Sequence, residues 1–144
     1  MVNLREKPLA TENVQITPIS AITKRLKRYK NYKNIPFIEK LPIIVNLMLD
    51  NKYRENIQKI YLFGSYAYGK PDENSDIDFF VIIDDSILKY RIEVANNIRS
   101  KLWDENIVPC DLLIYNVGTF DKYKNIQGIE RIVNTYGVLI YERG

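Results

Sequence analysis

The sequence predicts an α/β chain of the α+β kind, a small mixed β-sheet flanked by helices. Three observations lead there. Runs of apolar, β-branched and aromatic residues at positions 60–63, 79–83 and 107–117, bounded by Gly, Pro, Asn and Ser, read as buried strands. Between and around them, apolar residues recur three and four apart, the spacing of amphipathic helices. With 144 residues and 46% apolar content, the chain fits one domain with a real core and excludes a disordered chain.

Taken in order, residues 1–18 show no sustained periodicity and include Pro8 and Pro18, so they form an arm, extended at Val14 to Ile16. From Ser20 a helix carries Ile22 and Leu26 on one face, and Asn31 to Asn34 breaks it. This gives an N-terminal arm and basic helix over 1–35 and the main domain over 36–144. Pro36 sits where a helix can start, and Phe37, Ile38, Leu41, Ile44, Val45 and Met48 keep helical spacing, with Pro42 placed to distort it. The first strand, Ile60 to Phe63, ends at a Gly64-Ser65 turn; a polar segment follows, and Asp76 and Asp78 open the second strand. Asp84, Asp85 and Ser86 supply helix-start residues for a helix with Ile87, Arg91, Val94, Ala95, Ile98 and Leu102 at helical spacing. The two aspartates are assigned to capping, because strand rise puts them roughly 20 Å from Asp76.

A third strand covers Ile107 to Val117 with Asp111 in its interior. Gly118 and Thr119 then begin a last helix, with Phe120, Tyr123, Ile126, Ile129, Val133 and Tyr136 inward, Gly128 inside it and Gly137 as its stop. Val138 to Tyr141 reads as an edge strand. No apolar stretch approaches eighteen residues and no signal-peptide pattern opens the chain, so a cytoplasmic protein with no membrane segment is expected. A single cysteine, Cys110, lies among apolar neighbours and reads as packing. Histidine is absent, which leaves acid-base and metal chemistry to carboxylates. The formal charge is +3, but Lys24, Arg25, Lys27, Arg28, Lys30 and Lys33 cluster with Tyr29 and Tyr32 between them. Such a run could meet a nucleic acid or an acidic partner; a solvated helical face accounts for it better, since the whole chain is not strongly basic.

The chemistry concentrates between Lys59 and Asp85. Residues 76 and 78 project from one face of a strand, about 7 Å apart along it. Two carboxylates side by side repel, and a hard divalent cation such as Mg²⁺ between them removes the cost. Glycine permits close approach of the backbone to a ligand, and turn N–H groups can cradle phosphate. A phosphate cradle facing a carboxylate pair suggests a nucleoside triphosphate site. Asp111, an aspartate inside an apolar strand, needs a partner; a metal shared with the neighbouring strand is one, and a salt bridge in the core is the alternative.

Two simpler motifs overlap these residues and fail. Gly64 to Lys70 fits the start of a P-loop, but Pro71 stands where Ser or Thr must hold Mg²⁺, and a strand rather than a helix follows. Asp72, Asn74 and Asp76 have calcium-loop spacing, but Ile77 and Ile83 replace the Gly and Glu that such a loop requires. Gly64-Ser65, the ten residues from Tyr66 to Ser75, and Asp76-Ile77-Asp78 together resemble the G-S-x10-D-x-D signature of the DNA polymerase β-like nucleotidyltransferases, with an Ala67-x-Gly69 echo. The chain departs from it at Tyr66 and Tyr68, where many members carry Arg, leaving Lys70 as the nearest cation for the triphosphate.

By that resemblance, Asp76, Asp78 and Asp111 are the catalytic and metal-holding residues, with Asp111 on the nucleophile side, and Gly64, Ser65 and Lys70 bind the nucleotide. Two Mg²⁺, or Mn²⁺ in their place, about 3.5–4 Å apart would suit in-line transfer of AMP from ATP to a hydroxyl. A chain lacking an added acceptor domain is similar to the minimal nucleotidyltransferases that act as antitoxins beside a helical HEPN toxin, so the expected acceptor is a tyrosine of such a partner. The alternatives are a small-molecule, antibiotic-modifying transferase completed by homodimerisation, and a non-catalytic antitoxin that acts by binding alone.

Overall fold

A computed structural model describes residues 14–16, 40–68, 76–107 and 110–144. Among these residues five strands form one sheet: β1 (Val14–Ile16), β2 (Ile57–Phe63), β3 (Ile77–Ile83), β4 (Cys110–Asn116) and β5 (Val138–Arg143), in the spatial order β1-β5-β2-β3-β4. All neighbours are antiparallel except β3 and β4, which run parallel. A parallel pair needs a crossover, and helix α3 (Arg91–Asp104) supplies it. The remaining helices are α1 (Leu41–Met48), α2 (Ser65–Tyr68), α4 (Val117–Tyr123) and α5 (Gly128–Tyr136).

Strand β3, IDFFVII, is buried at every position but Asp78, which is half-buried. It lies inside the sheet with helices on both faces, so both sets of alternating side chains are apolar. On one face Phe79, Val81, Leu112 and Ile114 pack beneath α1 and α3, which contribute Ile44, Val45 and Met48 and Val94, Ile98 and Leu102. On the other face Tyr61, Phe63, Phe80 and Ile82 meet Phe120 of α4 and Val133 of α5. Phe80 is the hub of this second layer, 4.8 Å between ring centroids from Tyr115 and 5.7 Å from Phe120. Full burial of one such side chain contributes about 1.5–3 kcal/mol. Asp78 shares its face with Phe80 and Ile82, and Asp111 shares its own with Leu113 and Tyr115, so both carboxylates extend the second layer at one end of the sheet.

Several expectations are corrected. Residues 138–143 do not form an edge strand, because β1, from the N-terminal arm, pairs with β5 and takes the outer place. The expected single last helix is two, α4 and α5, separated by turns at residues 124–127. Gly128 has φ +77°, a left-handed conformation that glycine adopts without strain. The break turns Ile126 and Tyr136 outward, 61% and 54% exposed. In helix α1, Pro42 stands in the first turn, where a missing N–H costs nothing, so it does not distort the helix; Pro36, where the helix was expected to start, lies outside the described residues. Asp84 and Asp85 do not cap the helix they precede. Asp84 accepts hydrogen bonds from Asn56 Nδ2 at 3.1 Å and Gln58 Nε2 at 2.7 Å, which ties β3 to the start of β2. Asp85 accepts from the Gly118 N–H at 2.9 Å and Asn116 Nδ2 at 2.8 Å, so it caps the first turn of α4 instead. These bonds hold its carboxyl below the usual range. The basic helix expected at 20–33, Phe37, Ile38 and the 35/36 boundary lie outside the described residues.

Candidate active site

Strand β2 ends at Phe63, which pairs with Asp78, and the chain turns at Gly64. Gly64 has φ +71°, and a Cβ placed on it would fall 2.0 Å from Asp78 Oδ2. Only glycine can serve both requirements: the left-handed turn excludes most side chains, and the carboxylate fills the space a side chain would use. The turn closes through the Ala67 N–H to the Gly64 carbonyl, 3.0 Å, and Ala67 is buried against the core. Ser65, the first residue of α2, is half-buried beside it. Gly64 and Asp78 are therefore one packed unit.

Asp78 and Asp111 are register partners across the parallel β3–β4 pair. Adjacent residues in register point to the same face, so the two carboxylates stand side by side. Asp76 is exposed, on the residue ahead of β3. Burial first, then the charges of Asp111 and Asp76, push the Asp78 carboxyl up to about 6. The Cys110 thiol is also pushed up, chiefly by burial and further by Asp111 and Asp76, while Arg99 opposes. Asp76 and Asp111 thus both act on Asp78 and on Cys110.

Asp111 is not where the sequence reading put it. It is the second residue of β4 and exposed, because the strand begins at Cys110 rather than Ile107. The expectation of a buried carboxylate needing compensation fails; proximity to Asp78 brings Asp111 into the site. Among the described residues no group of three or more His, Cys, Asp or Glu side chains is placed to hold a metal ion by itself. The oxygen donors of Asp76, Asp78 and Asp111, two of them exposed, nevertheless match what Mg²⁺ prefers, few protein carboxylates with room for water and phosphate. Lys70 lies outside the described residues. Arg99 of α3 went unnoticed in the sequence; a crossover helix must run back toward the start of the next strand, and that geometry carries Arg99 to Cys110 and the site.

The family model described as polymerase beta, nucleotidyltransferase matches residues 46–143, a span that contains every described site residue. The chain belongs to this nucleotidyltransferase family. Within it, a relative from Methanocaldococcus jannaschii, MJ0604, named provisionally as a protein adenylyltransferase, is 45% identical over 53 residues. The match covers 37% of this chain and about half, 52%, of that relative. Two solved structures share a more distant likeness. One, a protein of Sulfolobus solfataricus provisionally named a nucleotidyltransferase, is 19% identical over 87% of this chain and 86% of that one, with a TM-score of 0.45. The other, a mutant of the toxin-antitoxin MntA-HpeT, is 26% identical over 71% and 73%, with a TM-score of 0.44. As a nucleotidyltransferase of this family, the chain is a transferase. Among its described residues no helix is long and apolar enough to cross a membrane.

Proposed function

We propose that this chain transfers AMP from ATP to a hydroxyl of a partner protein, and that Asp76, Asp78 and Asp111 carry the chemistry. The observation behind this reading is the in-register pairing of Asp78 with Asp111 beside the Gly64–Ser65 corner. Asp78 and Asp111 stand on neighbouring strands at that corner, with Asp76 on the residue ahead of β3. The N–H groups at the corner and the Ser65 hydroxyl hold the terminal phosphates, with Lys70 adding positive charge in place of the arginine common in the family. Asp76, Asp78 and Asp111 would hold Mg²⁺, which would neutralise the triphosphate and acidify the attacking hydroxyl. Asp111, on the outer strand, faces the acceptor and orients its hydroxyl, and it is placed to take the proton. The α-phosphorus forms a bond to the acceptor oxygen, and pyrophosphate leaves with the electrons of the broken bond.

A protein acceptor is supported by the local similarity to a relative named for protein adenylylation. The most specific form of the proposal is an antitoxin that modifies a tyrosine of a HEPN-type toxin in the cytoplasm. Incubation with ATP labelled on the α-phosphate, Mg²⁺ and the product of the adjacent gene tests it. The reading requires a labelled partner, with the AMP on tyrosine by mass spectrometry and no label when Asp78→Asn replaces the wild type. Full neutralisation of the partner by Asp78→Asn, with no label in either case, would refute transfer and favour action by binding alone.

A further inference from the structure

We propose that the open edge of β4, with the adjoining face of α3, is the docking groove for the acceptor: an extended segment of the partner protein adds to the sheet there and carries its hydroxyl to Asp111. This rests on the transfer reading and specifies how the acceptor is held. Strand β4 is last in the sheet order, and its outer edge is unpaired among the described residues. Natural edges are usually blunted by lysine, proline or a covering element. This one, CDLLIYN, has neither residue, and its single charge is Asp111 itself. A groove of about 270 Å³ runs along it, formed by residues 112–115 of the strand and by Arg91, Ile92, Ala95 and Arg99 of α3. Ile92 is 71% exposed, an apolar floor with nothing on it among the described residues.

The charges define the occupant. Neither Arg91 nor Arg99 has a carboxylate partner among the described residues. They stand eight positions apart on α3, about 12 Å at helical rise. A strand rising about 3.3 Å per residue spans that distance in four residues, so acidic side chains at i and i+4 would share the face toward the two guanidinium groups. Arg99 marks the active-site end of the groove, since its charge reaches Cys110, the residue before Asp111. Asp111 projects to the sheet face opposite α3, with Leu113 and Tyr115. A residue at odd spacing from the acidic pair therefore points its side chain toward the carboxylates. The segment that fits is extended and apolar, with acidic residues four apart and a hydroxyl residue next to one of them. A second copy of this chain fits worse: antiparallel pairing of two β4 edges would set the arginines of one α3 against those of the other.

Fluorescence anisotropy with a labelled synthetic peptide tests the groove. The peptide alternates valine with polar residues, places glutamates four apart, and carries a tyrosine beside one of them. It should bind the wild type and the Asp78→Asn variant equally and lose binding when its amides are N-methylated. The double variant Arg91→Gln, Arg99→Gln should bind it about tenfold more weakly or worse, the scale of losing charge-assisted contacts. Binding that survives N-methylation, or that changes less than about twofold in the double variant, overturns the proposal. So does a doubled mass by light scattering with the peptide excluded, since a second copy would then fill the edge. ATP binding in Mg²⁺ on the same samples separates the two readings: its absence overturns transfer, and missing peptide affinity beside intact ATP binding overturns the docking groove.

Discussion

Replacing Asp78 with asparagine should stabilise the protein when divalent ions are chelated. Asparagine keeps the shape that fits against Gly64 and removes the charge that the fold holds among two others. The Asp78 carboxyl moves from 3.8 to about 6 on folding. At about 1.4 kcal/mol per pH unit this is at most about 3 kcal/mol. The group is only half-buried, and solvent screening reduces the figure to about 1–1.5 kcal/mol. For a domain near 150 residues that is a rise in Tm of about 3–5 °C. The sign with pH follows from the direction: a carboxyl raised on folding leaves the wild type at full stability below about 3.8, and that stability is lost as pH rises through about 6. The gap between variant and wild type should therefore open between about pH 4 and 6 and stay open above. Thermal unfolding in EDTA across this range measures it. Added Mg²⁺ should then raise the Tm of the wild type and not of the variant, since only a bound state gains from ligand. A variant no more stable than wild type near neutral pH, or an equal response of both to Mg²⁺, would refute the crowding of charge at this corner.

Three other expectations follow from named contacts. Gly64→Ala must put a Cβ into the Asp78 carboxylate at a left-handed φ, so it should lose about 1–2 kcal/mol in thermal melts and weaken ATP binding; wild-type behaviour would contradict the close approach. Phe80→Ala removes the hub of the aromatic layer and should cost about 3–5 kcal/mol in denaturant unfolding, with a smaller loss indicating that the layer collapses around the gap. Asp85→Ala unfastens the first turn of α4 from the end of β3. Because folding lowers the Asp85 carboxyl, its contribution is present above the ordinary carboxylate range and lost as pH falls through the lowered value, so the Tm difference from wild type should vanish in acid.

The Gly64 corner beside Asp78 was legible because its constraints are local. Gly64 must turn and must lack a side chain, and Asp76 and Asp78 must open a strand; such demands leave fixed spacing in the sequence. The apolar runs announced β3 and the Ile60–Phe63 part of β2, where burial leaves no polar positions, but not residues 57–59, which include Gln58 and Lys59. Asp111 was found on a false premise. Its apolar neighbours suggested burial, but burial depends on where β4 starts and on its outer edge, which is unpaired among the described residues. The same nonlocal fact hid the place of β5: Val14 to Ile16 read as extended, but three residues carry no signal of which strand they join. The bonds of Asp84 and Asp85 reach partners about thirty residues away, and no spacing rule signals them. The division of the last helix was signalled by Gly128 and overridden by periodicity, whose apolar positions ran on through the break.

The central claim is that the aspartates at 76, 78 and 111 share one cation site. Titration of Mn²⁺ as a spin probe, with ATP present, reads that site directly. The account predicts bound Mn²⁺ in the wild type and a marked loss of affinity in each of Asp76→Asn, Asp78→Asn and Asp111→Asn. Wild-type affinity in Asp111→Asn would separate that carboxylate from the pair on β3 and contradict the account.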